Sequence, residues 1–159
     1  MKSFKSFVLE EVASGMYIGM KLHPDSAATL AHIATVHGIP NPLTKNDLHT
    51  TIMYSKNKKL DDYEDDDSRC CSAKISGIDK FDNNSALVLK LDSPDLQNRN
   101  KELSDAGLEH SFDPFVPHIT LSYGATDYDA AGLEYLKGTE IKFNGEYGQP
   151  VIKDWGKNR

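Results

Sequence analysis

Two cysteines, one tryptophan and no long apolar run are the scarcities of this 159-residue chain. Each excludes something. Cys70 and Cys71 are adjacent, a spacing that suits neither a tetrahedral metal site nor an ordinary long-loop disulfide, so they read as reduced thiols at a strand edge. No stretch approaches the roughly 20 apolar residues of a membrane-spanning helix. The N-terminus starts basic, but its apolar run stops at Glu10 and Glu11, too early for a signal-peptide core. The expected location is the cytoplasm, away from membranes. Positive charge is also short: 18 Lys and Arg stand against 24 Asp and Glu, a net charge of -6. That balance argues against a grip on long nucleic acid through its phosphates and leaves room for a small anionic ligand in one local pocket.

What the chain does have is a repeated motif. His49-Thr50-Thr51-Ile52-Met53-Tyr54 and His118-Ile119-Thr120-Leu121-Ser122-Tyr123 share the pattern His, any residue, Thr, aliphatic, any residue, Tyr, 69 residues apart. Each reads as a short strand, and residues i and i+2 of a strand share a face. His49 therefore points with Thr51, and His118 with Thr120. Tyr54 and Tyr123 stand at odd spacing from the histidines and are expected to face away, into the core.

The surroundings of the motifs repeat as well. A strand near Met16 to Leu22, a break at His23-Pro24 with Asp25 as N-cap, and a helix from Ser26 to His37 precede the first motif. A strand at Ala86 to Leu91, a Ser93-Pro94 cap and a helix to about Ala106 precede the second. Tyr17 leads His49 by 32 residues and Ala86 leads His118 by the same 32. Such duplication predicts one α+β domain of two pseudo-symmetric lobes, two antiparallel sheets facing a central cleft with helices outside. The repeats span about 16–79 and 85–124. Beyond the first motif, the charged stretch from Lys56 to Ser68 is expected to be a solvated loop, lacking the glycine and glutamate of a calcium loop, and Cys71 to Asp79 a returning strand. A helix at Asp127 to Lys137 and a hairpin turning at Asn144-Gly145 complete residues 127–153, with a tail at 154–159.

Two imidazoles, each with a hydroxyl beside it, suit a phosphodiester. Histidine titrates near neutrality, so one ring can accept a proton while the other donates one, and each Thr hydroxyl can hold a non-bridging phosphate oxygen. A single strand histidine is more often structural than catalytic; recurrence of both polar residues at matched positions is what raises the pair above that reading. A zinc site is the rival, but the two motifs supply only two good ligands. Neither a metal nor another cofactor is expected.

At these residues the sequence resembles the 2H phosphoesterase superfamily, named for paired His-x-Thr/Ser motifs, and within it the phage anti-CBASS phosphodiesterases. The resemblance covers nearly the whole chain. It implies catalytic roles for His49, Thr51, His118 and Thr120 and metal-independent cleavage of 3'-5' bonds in cyclic di- and trinucleotides such as 3',3'-cGAMP, through a 2',3'-cyclic phosphate. Base recognition in a net-acidic protein is expected to rely on stacking and edge hydrogen bonds, with Tyr17, Glu146 and Trp155 as candidates and Lys21 and Lys153 as weaker phosphate contacts. Two alternatives accompany this reading: a 2H enzyme acting on RNA 2',3'-cyclic phosphates or 3' ends, and a non-catalytic sponge for cyclic nucleotides. No obligate protein partner is evident.

Overall fold

In the computed structural model, which describes residues 14–112 and 114–151, six antiparallel strands close into one ring. In chain order these are β1 (Gly15–Leu22), β2 (His49–Ser55), β3 (Asp66–Phe81), β4 (Ala86–Asp92), β5 (His118–Ser122) and β6 (Glu140–Val151). Around the ring they run β1, β2, β5, β4, β3, β6. Helix α1 (Pro24–Val36) follows β1, helix α2 (Pro94–Asp105) follows β4, and a 3-10 helix spans Ala130–Leu136. The expected α+β architecture is present, with each strand, helix and motif strand used twice. Among the described residues no helix is long and apolar enough to cross a membrane.

The two lobes meet where β2 lies beside β5, and there the sheet is thin: Thr50 opposite Ile119 is the one residue pair linking those strands. The β1–β2 pairing runs over six residue pairs and the β4–β5 pairing over four. On the far side the lobes are sewn by β3 and β6. The two expected sheets are therefore halves of one closed ring, and the seam between them carries both motifs. Alternation explains the core: Met16, Ile18 and Met20 of β1 are fully buried, in one cluster with Leu30 of α1 and Leu96 and Leu103 of α2, while Tyr17 and Gly19 face the other way.

Several local expectations shift. Helix α1 is capped by His23, whose Nδ1 accepts from the Asp25 amide at 3.1 Å, because Pro24 fills the first helical position and moves the cap one step back. The 127–137 segment winds as a 3-10 helix. Asn144-Gly145 makes no hairpin. Gly145 has φ +106 and lies within β6, which runs on so that one strand closes against both β1 and β3. Strand β3 also starts earlier than expected, taking in Asp66 and Asp67. Trp155, Lys153 and the N-terminal arm as far as residue 13 lie outside the described residues.

Candidate active site

The β2–β5 seam positions the four motif residues. With Thr50 opposite Ile119, the antiparallel register one residue to either side sets Thr51 across from His118 and His49 across from Thr120. Thr50 Oγ1 also donates to the His118 carbonyl at 2.8 Å, which locks the two strands at this point. Both histidines are half-buried, and each is held in the same manner: His49 Nδ1 lies 2.8 Å from the Asp47 carbonyl and His118 Nδ1 lies 2.9 Å from the Val116 carbonyl. A carbonyl only accepts, so Nδ1 carries a proton in each ring. In the neutral form the Nε2 lone pair is then free to act as a base.

The matched strands share a further feature that the sequence pattern conceals. The β1–β2 register slips between Ile18 and Gly19, leaving Ile52 as an extra residue, and the β4–β5 register slips between Leu87 and Val88, leaving Leu121 as an extra residue. Ile52 and Leu121 hold the same place in their motifs. Each bulge reverses the alternation beyond it. Tyr54 and Tyr123 therefore line the cleft, and the expectation that they face the core fails for this reason. Tyr123 is 56% exposed.

Two hollows flank the motifs and share Tyr17, Thr51 and Tyr54 in their walls. One, about 430 Å³, lies on the His118 side; the other, about 660 Å³, lies on the His49 side. Tyr17 stands at their junction, its hydroxyl 3.0 Å from Thr51 Oγ1 and its ring edge-on to His49 at 6.3 Å. Gly19 makes this possible, since a Cβ there would meet the hydroxyls of Tyr147 at 2.8 Å and Tyr17 at 2.9 Å. Burial, with Tyr147 close by, holds the Tyr17 phenol far above its usual pKa, so it stays a neutral hydroxyl. Thr120 differs from Thr51 in being nearly buried, at 9% exposure. His118 has the edge of Phe81 at 5.0 Å where His49 has Tyr17.

Of the other expected contacts, Lys21 lines the His49-side hollow. Glu146 does not come to the cleft. It pairs with Met20 on β1, on the helix-covered face of β6, while its neighbour Tyr147 takes the cleft face. Its carboxylate is 1% exposed and accepts from Arg99 of α2 twice, at 2.7 and 2.8 Å, and from the Tyr63 hydroxyl at 3.1 Å. Arg69 Nε adds a charge contact at 3.3 Å, without the geometry of a hydrogen bond. A nucleobase amine would have to displace this network, so the expected base contact is replaced by a structural ion pair. Tyr54, Tyr123, Tyr147 and the aromatic residues near His110 are the cleft residues that sequence reasoning missed. The bulges hid the first two; the repeated tyrosine in both motifs was the available signal.

This arrangement, two anchored imidazoles and two hydroxyls across a seam of duplicated strands, agrees with a family match. The family model of the anti-CBASS protein Acb1 covers residues 14–158. The chain belongs to the Acb1 family. The anti-CBASS protein Acb1 of Escherichia phage RB16 is 33% identical over 138 residues, which is 86% of this chain and 79% of that protein. Its counterpart from Enterobacteria phage T4 is 28% identical over 155 residues, 98% of this chain and 97% of that protein. Among solved structures, E. coli LigT complexed with 3'-AMP matches with a TM-score of 0.58 at 14% identity over 87% of each chain. A structure described as a phosphoesterase matches with a TM-score of 0.58 at 15% identity, covering 84% of this chain and 85% of its own. The likeness to these structures establishes the 2H phosphoesterase fold.

Proposed function

We propose that this protein counters CBASS in the host cytoplasm by hydrolysing the 3'-5' bonds of cyclic di- and trinucleotides, without a metal ion, to linear products. The observation that carries the reading is that His49 and His118 stand on the two strands of the β2–β5 seam, each across from the other motif's threonine and each with Nδ1 tied to a backbone carbonyl two residues back. One neutral histidine takes the proton of a ribose 2'-OH through Nε2. The 2'-oxygen attacks its own 3'-phosphorus, the bond from phosphorus to the 5'-oxygen breaks, and the other histidine, protonated, gives its proton to that leaving oxygen. A 2',3'-cyclic phosphate results. With the roles exchanged, the histidines direct water at the cyclic phosphate and leave a terminal 3'-phosphate. Thr51 and Thr120 donate to the non-bridging oxygens, where charge accumulates in the transition state.

The test is incubation with a panel of cyclic di- and trinucleotides, together with an RNA oligonucleotide ending in a 2',3'-cyclic phosphate, in the presence of a chelator. Products are followed by chromatography and mass spectrometry. Linear oligonucleotides with 3'-phosphates are expected from the cyclic substrates. Turnover that requires a divalent metal, or none of any cyclic nucleotide, would sink the proposal; turnover of the RNA alone would place the enzyme among 2H phosphoesterases of RNA ends.

A further inference from the structure

Most of the bonds between the two motif strands and their surroundings bypass the histidines. The segment ahead of each motif crosses to the other motif's strand: the Leu43 amide donates to the Leu121 carbonyl of β5 at 2.8 Å, and the Ser111 amide donates to the Tyr54 carbonyl of β2 at 2.8 Å. Both crossings lie toward the strand ends remote from His49 and His118. At the level of the histidines, β2 and β5 are joined by the Thr50–Ile119 pair and by Thr50 Oγ1, which donates to the His118 carbonyl at 2.8 Å. Among the described residues this is the one side-chain hydrogen bond between the two strands. Thr50 is 1% exposed, and a hydroxyl so placed must find its partner inside the protein. Ile119, its counterpart in the second motif, has no hydroxyl, so the clasp runs one way.

Each histidine is otherwise held by its own lobe. The His118 ring is tied through Nδ1 to the Val116 carbonyl, and its backbone pairs with Lys90 of β4. His49 is held likewise by the Asp47 carbonyl and by pairing with Lys21 of β1. Neither set of bonds fixes one imidazole relative to the other. Thr50 does, because it lies between His49 and Thr51 on β2 and its hydroxyl grips the residue that stands across from Thr51.

We infer that Thr50 is a positioning residue: its hydroxyl sets the spacing across the seam at which His49, Thr51 and His118 act together on one phosphate. The inference rests on the proposed function, in which one ring takes a proton and the other delivers one on opposite sides of a single phosphorus. Such a step tolerates little drift, since a misplacement of about 1 Å can cost about 10²-fold in rate. Loosening the clasp slows the chemical step and leaves the tautomer of each ring as it is, because both Nδ1 partners remain.

Thr50→Val keeps the shape and deletes the hydroxyl, Thr50→Ala deletes it together with the methyl, and Thr50→Ser retains it. Ile141→Val is the control, a buried truncation on β6 across the ring from the seam that lowers stability without touching either motif. Steady-state kinetics on a 3',3'-cyclic dinucleotide, melting curves and NMR spectra of the His118 imidazole and the Ile119 amide are recorded for each. The expected kcat is about tenfold lower for Thr50→Val and Thr50→Ala, with KM altered less and the pH profile of kcat in place. Thr50→Ser is expected to restore kcat, and Ile141→Val to leave it unaltered despite a lower melting temperature. An unchanged kcat in Thr50→Val, or an equal loss in Ile141→Val, would overturn the positioning role. Wild-type protein that cleaves no cyclic nucleotide removes the proposed reaction instead, and the NMR spectra then decide on Thr50. His118 signals that stay in place in Thr50→Val refute the clasp; signals that move there, return in Thr50→Ser and hold still in Ile141→Val sustain it.

Discussion

His49 and His118 are the same residue in the same local setting, and the difference between them lies in what stands beside each ring. Thr51, next to His49, has the Tyr17 hydroxyl at 3.0 Å, whereas His118 has the edge of Phe81. In the proposed scheme, substituting either histidine by alanine removes one proton carrier, and turnover is expected to fall by about 10²- to 10⁴-fold for each while cyclic-nucleotide binding persists. Single-turnover kinetics paired with calorimetry would separate the two effects; near-normal turnover in either variant rules out the two-histidine scheme. Tyr17→Phe keeps the ring and deletes the hydroxyl that orients Thr51. A net hydrogen bond of this kind is worth about 1 kcal/mol, so kcat is expected to drop by about fivefold with KM altered less. Steady-state rates that do not change would mean that Thr51 is oriented without Tyr17.

The matched bulges at Ile52 and Leu121 bring Tyr54 and Tyr123 to the cleft, and the continuous β6 turns Tyr147 toward it and Glu146 away. Helix α2 is fastened to the sheet at several places. Ser93 Oγ accepts from the Leu96 amide and donates to the Ser72 carbonyl of β3, and Arg99 grips Glu146 of β6. The hydrogen bonds to Glu146 raise the Arg99 pKa above its ordinary value, so the guanidinium keeps its charge. Arg99→Ala strands a carboxylate that is 1% exposed, and a loss of about 3–5 kcal/mol of folding stability is expected in urea titration. A loss under about 1 kcal/mol would mean that Arg69 and Tyr63 suffice to hold it.

Across the molecule, the phenols of Tyr17, Tyr63 and Tyr147 are all held above the ordinary 10.0, in each case first by burial. The Cys71 thiol is likewise pushed up to about 11 by burial and then by Asp95. These groups keep their protons in the folded state at a pH where the unfolded chain has released them. Their contribution is therefore intact below the unfolded values and is lost as the pH climbs past about 9 for the thiol and past about 10 for the phenols, at about 1.4 kcal/mol per pH unit for each group involved. Melting temperature should be nearly flat from pH 7 to 9 and fall steeply above 10, with tyrosinate absorbance appearing together with unfolding. Tyrosine ionisation well below the unfolding transition would contradict the burial of these side chains.

Duplication, the helices and strands of each repeat, and the identity of the four motif residues were all legible in the sequence, because hydrophobic period, capping residues and the His-x-Thr spacing are local signals. Which side chains share a cleft was not. A bulge shifts a strand's facing without altering its residue pattern, so Tyr54 and Tyr123 were assigned to the wrong face. Gly145 carries the same Asn-Gly signal whether it closes a hairpin or kinks a long strand, and only the presence of β1 and β3 on either side of β6 selects the second. Glu146 likewise gives no hint in one dimension that Arg99, 47 residues away, will claim it. The motifs behind the proposed reaction were written in local residue types; the walls of the site depend on strand register and on long-range charge pairing, which exist only once the ring of strands has closed.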